Sequence, residues 1–95
     1  MLILKVLTRL PLHGYGIVQS IRTSSEDELI VEEGSLYPAL QRLELNGWID
    51  GEWGVTEANR RARIYTITAA GRQQLTRERR RYHQLTLAIA RVMEG

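Results

Sequence analysis

Ninety-five residues carry a formal charge of +2 and no cysteine. A chain of this length forms one domain that buries only a modest share of its surface, so a partner copy would help it. The missing cysteine excludes disulfides, thiolate catalysis and cysteine-based zinc sites and fits a reducing cytoplasm, while Lys5 and Arg9 interrupt the apolar start too early for a membrane span.

The first predicted helix covers about residues 2 to 10, with Leu2, Ile3, Val6, Leu7 and Leu10 apolar and Pro11 as its stop. His13-Gly14-Tyr15-Gly16 reads as a turn and the start of a second helix. That helix buries Ile17, Val18 and Ile21 and ends near Thr23-Ser24-Ser25. An acidic loop follows, passing through Leu29-Ile30-Val31, a candidate short strand.

The third helix is the most informative element. Ser35 is expected as its N-cap, Pro38 as its third residue, and Asn46-Gly47 as a left-handed stop. Leu36, Leu40 and Leu43 repeat at i, i+4 and i+7 and form the buried stripe. The remaining face presents Tyr37, Gln41 and Arg42, with Ser35 and Pro38 at its N-terminal end. These groups have the length and hydrogen-bonding capacity to reach base edges or phosphates in a major groove. Helix, tight turn, helix, loop, helix is the order of a helix-turn-helix unit.

After Gly47 the period becomes extended. Residues 48–55 and 62–68 alternate as two paired strands, and Thr56 to Arg61 forms a polar tip. A hairpin behind a helix-turn-helix is a wing, and this one carries Asn59, Arg60 and Arg61, with Arg63 just behind, suited to the DNA backbone or the minor groove. Trp48 and Trp53 read as core residues or cross-strand partners. His13 and Tyr15 stand at a helix N-terminus, where the free N–H groups favour a phosphate.

Thr68 caps a last helix running from about residue 69 to the end, longer than the core of so small a domain requires. Tyr82, Leu85, Ile89 and Val92 step by three, four and three, with Leu75 one heptad before Tyr82. That is a coiled-coil seam, expected to face a second copy of the chain; the alternative is packing on the first helix of the same chain.

The charge is unevenly spread. Between Glu26 and Glu57 stand nine acids and one base, Arg42; between Ala58 and Val92 stand nine arginines and one acid, Glu78. Arginine pairs with phosphate in a bidentate fork, so the asymmetry suggests a surface facing a polyanion. Catalysis finds no support: the two histidines lie seventy positions apart and the acids fall on loops or exposed strand positions. No catalytic residue, metal site or cofactor is expected.

His13-Gly14-Tyr15, then Glu33-Gly-Ser-Leu-Tyr-Pro-Ala-Leu40 with Arg42-Leu-Glu44, then Gly47-Trp-Ile49, Glu52-Trp53, Arg61-Ala-Arg-Ile-Tyr65 and Ile67-Thr-Ala-Ala-Gly71 resemble the PadR family of bacterial transcriptional regulators. The likeness runs through nearly the whole chain in order. It implies a mainly α fold with a small β-hairpin (α+β), a winged helix-turn-helix over residues 1–68, and a C-terminal dimerisation helix over residues 69–95. It also implies a cytoplasmic, nucleoid-associated homodimer that represses nearby genes from palindromic operator DNA. Family members usually carry further residues before the first helix. The last helix here lacks the tryptophan that some relatives use to sandwich a flat hydrophobic effector, and an effector is left open. The alternative reading is a winged-helix module that binds protein, with an uncharged outer helix face and a wing free of arginine as its marks.

Overall fold

The computed structural model describes residues 1–95 as four helices and a two-stranded antiparallel sheet: α1 Leu2–Leu7, α2 Gly14–Ser24, α3 Glu33–Leu45, β1 Ile49–Val55, β2 Arg61–Ile67 and α4 Ala69–Glu94. This is the α+β winged-helix architecture expected from the sequence. One apolar cluster joins every element: Leu4, Val6 and Leu7 of α1, Ile17 and Ile21 of α2, Leu36 and Leu40 of α3, Ile49, Tyr65 and Ile67 of the hairpin, and Leu75 of α4.

The helix α1 is shorter than expected and stops before Leu10. Its end tightens when the Thr8 N–H bonds the Lys5 carbonyl at 3.2 Å and the Arg9 N–H bonds the Val6 carbonyl at 3.3 Å. Pro11 biases Leu10 to an extended backbone. Leu12 then bridges to Tyr65 through two main-chain bonds of 3.2 and 2.9 Å, which adds a partner to the free edge of β2. The expected strand at Leu29 to Val31 does not form. Ile30 is 65% exposed there, and Leu12 already occupies the β2 edge beside Tyr65.

The start of α3 also differs. Its N-cap is Glu32, whose carbonyl accepts the N–H groups of Ser35 and Leu36, each at 3.0 Å; Ser35 is therefore inside the helix and caps nothing. Had Ser35 been the cap, Pro38 would have stood at the third helical position with no N–H to offer its hydroxyl. Extending the helix backward satisfies two backbone donors instead. Pro38 now lies inside α3, opposite the Gly34 carbonyl that its absent N–H leaves without a helical donor. The other end is as expected: Gly47 adopts φ 73°, its N–H bonds the Glu44 carbonyl at 2.9 Å, and the Trp48 N–H bonds the Leu43 carbonyl at 3.0 Å. This pair of bonds is a Schellman motif, and it turns the chain directly into β1.

The strands pair from Ile49↔Ile67 to Val55↔Arg61, placing Ile49, Tyr65 and Ile67 on the face toward the helices. Thr68 then caps α4 by accepting the Gly71 N–H at 3.0 Å, while its hydroxyl donates to the Gly47 carbonyl at 2.7 Å. A Cβ at Gly71 would overlap the Trp48 carbonyl, so only glycine lets α4 begin this close to the α3–β1 junction. Leu75, expected on the seam toward a second copy, is 5% exposed and belongs to the core of its own chain. One heptad later the helix has left that core, and Tyr82, Leu85, Ile89 and Val92 are all more than half exposed.

Candidate nucleic-acid interface

Burial of Leu36 and Leu40 fixes how α3 is rolled, and the roll turns Ser35, Tyr37, Pro38, Gln41 and Arg42 to solvent. The three ion pairs of the molecule join Arg63 to Glu44, Arg22 to Asp27 and the N-terminus to Glu78, so Arg42 is in none of them. Tyr37 is exposed over its ring but closes on the start of α2, where a Cβ at Gly14 would lie 3.2 Å from its hydroxyl. It does two things: it packs one side of its ring and offers the other.

At the start of α2 the His13 Nδ1 accepts the Gly16 N–H at 3.0 Å, which makes the imidazole the N-cap. The ring is stacked on Tyr15 with centroids 6.3 Å apart, and Tyr15 is itself exposed. His13 thus spends one nitrogen on the helix it begins. Its other nitrogen and the Tyr15 hydroxyl have no protein partner among the side-chain bonds.

The wing tip is closed by the Thr56 N–H to the Arg60 carbonyl at 2.8 Å and the Asn59 N–H to the Thr56 carbonyl at 2.9 Å. Asn59 has φ 57°, so it supplies the left-handed residue that a three-residue hairpin loop requires. Arg60 and Arg61 at this tip are exposed and without a carboxylate. Arg63 does not join them. Its guanidinium donates to Glu44 Oε2 at 2.8 Å and to the Gly51 carbonyl at 3.0 Å, tying the wing to α3.

Tyr15 of α2, Tyr37 of α3 and Arg60 and Arg61 of the wing border one open groove, in which Glu57 is the lone acid. Trp53 also lines it, 62% exposed, beneath the Arg61 guanidinium. The cross-strand pairing of Trp53 was legible from period-two alternation. Its exposure was not, because the core ends one residue pair earlier, at Gly51↔Tyr65.

The model of the PadR-like family of transcriptional regulators matches residues 3–77. The chain belongs to this family. It is 38% identical over 77 residues to transcriptional regulator Rv3488 of Mycobacterium tuberculosis, a match covering 81% of this chain and 68% of that protein. Among solved structures it is similar to a transcriptional regulator from Clostridium thermocellum, with a TM-score of 0.87 and 29% identity over 95% of this chain and 87% of the other. A PadR family regulator from Eggerthella lenta superposes with a TM-score of 0.81 and 27% identity, covering 99% of this chain and 82% of that one. As a PadR-like protein the chain is a DNA-binding transcriptional regulator with a winged-helix fold. The family match includes α3, the wing and Leu75, and it ends before the exposed apolar row from Tyr82 to Val92. No helix is long and apolar enough to cross a membrane.

Proposed function

We propose that the protein is a homodimeric repressor that occupies a palindromic operator, placing α3 (residues 33–45) of each protomer in a major groove and the wing (residues 56–63) on the adjoining backbone. The observation that carries this reading is the common groove of Tyr15, Tyr37, Arg60 and Arg61, since it sets the N-terminal part of α3, at Tyr37, beside a basic, nearly acid-free wall. Gln41 and Arg42 read base edges. Ser35, Tyr37 and Pro38 follow the edge of the groove, and His13 and Tyr15 meet a phosphate at the start of α2. Asn59 shapes the tip that carries the arginines to the backbone.

Residues 1–68 form the DNA-binding unit in this reading, and residues 69–95 the dimer-forming helix. The partner is a second copy, because Tyr82, Leu85, Ile89 and Val92 leave an apolar row that the chain's own helices do not cover. The groove between α1 and α4, lined by Leu2, Lys5, Tyr82 and His83, continues that row. Two helices held this way read two half-sites one helical turn or a multiple apart. The protein acts on the cytoplasmic nucleoid by occupancy, without catalysis or a cofactor, and no effector is assigned to it.

A gel-shift titration on DNA from its own upstream region, repeated across a salt series, tests the reading. One fragment is expected to shift at concentrations well below those needed for random duplex, with affinity falling as salt rises. Equal affinity for every duplex would remove the operator from the account, and no shift at any salt would leave a protein-binding module.

A further inference from the structure

The register that pairs Val55↔Arg61, Trp53↔Arg63 and Gly51↔Tyr65 puts Arg61, Trp53, Arg63 and Tyr65 on the same face of the hairpin. They form a stack in which cations and rings alternate. The Arg61 Cζ lies 5.3 Å from the Trp53 ring centre, and the Arg63 Cζ lies 5.9 Å from Trp53 and 5.9 Å from Tyr65. One end is anchored, since Tyr65 is buried and Arg63 is bonded to Glu44 and Gly51. The other end, Trp53 and Arg61, lies open on the groove.

A free arginine at a hairpin tip samples many rotamers and loses that freedom on binding. Stacked on an indole that is itself held by an anchored guanidinium, Arg61 is confined before any ligand arrives. We propose that Trp53 is a positioning residue for DNA binding: it holds Arg61 toward a phosphate of the duplex backbone lying in the groove between the wing and the start of α2. Charge selects this occupant, because Arg60 and Arg61 face the groove unpaired and Glu57 is its lone acid. The inference rests on the reading that the wing meets the DNA backbone.

The test is a set of binding isotherms across a salt series on operator and random duplexes, for Trp53→Ala, Trp53→Phe, Arg61→Ala and the Trp53→Ala/Arg61→Ala double variant. Trp53→Ala is expected to weaken both duplexes alike, by about three- to tenfold, and Trp53→Phe to recover most of the loss. It should also flatten log K against log salt by about one unit, as Arg61→Ala does, and add nothing in the Arg61→Ala background. If Arg61→Ala leaves the slope unchanged, Arg61 meets no phosphate and this proposal is overturned; the wing reading itself falls only if Arg60→Ala/Arg61→Ala also leaves it unchanged. If Arg61→Ala flattens the slope and Trp53→Ala does not, or if the two losses add, the reading stands and the positioning role is overturned. A Trp48→Phe protein makes Trp53 the single indole and serves should the alanine variant not fold. Saturating duplex is expected to shield Trp53 from acrylamide, and unchanged quenching under saturation would overturn the proposal.

Discussion

The outer face of α3, which meets the groove through Tyr37, and the wing hairpin that walls it are built on different physical terms. The face of α3 is what packing leaves over: once Leu36 and Leu40 are buried, Ser35, Gln41 and Arg42 are exposed, and none of the three ion pairs includes Arg42. The wing is divided within itself. Arg60 and Arg61 pair with no carboxylate, whereas Arg63 holds the hairpin to α3 through Glu44. Counting arginines therefore overstates the unpaired charge of the wing, and the paired arginine ties the hairpin to α3.

The variant with the largest expected effect is aimed at the proposed dimer. Leu85→Asp with Ile89→Asp should give a folded monomer, and losing the second half-site should weaken operator binding by at least about a hundredfold in a shift assay. A dimer in sedimentation would move the interface elsewhere. Next, Gln41→Ala with Arg42→Ala should shrink the difference between operator and random duplex by roughly 1 to 3 kcal/mol, read from competition isotherms. Arg60→Ala with Arg61→Ala should instead weaken both duplexes equally and flatten the salt dependence by about one to two units. The smallest effect sharpens the division inside the wing. Arg63→Ala should lower stability by roughly 1 kcal/mol, about 4 to 8 °C in Tm by calorimetry, and change the salt slope less than Arg60→Ala with Arg61→Ala does.

What could be read from the residues alone follows the same division. The Leu36, Leu40, Leu43 stripe, the Gly47 stop, the Thr68 cap and the hairpin were legible because each is local, set by helical spacing, by a positive φ or by alternation. The features that escaped are tertiary. Ser35 is a good cap residue in isolation, but the Glu32 carbonyl could satisfy two donors if the helix began earlier. Leu29 to Val31 has strand composition, yet Leu12 reached the β2 edge. Leu75 fits the heptad of Tyr82, but α4 is still against its own core at that turn. Arg63 lies among free arginines in the chain and opposite Glu44 only in the fold.

The central claim is that α3 supplies preference and the wing supplies affinity. Its most direct test is one salt-titrated comparison of operator and random duplex for the wild type, the Gln41→Ala/Arg42→Ala variant and the Arg60→Ala/Arg61→Ala variant. The helix variant is expected to lose operator binding more than random binding, and the wing variant to lose both by the same factor. If the wing variant narrows the operator-to-random ratio while the helix variant leaves it intact, the two roles are reversed and the account is wrong.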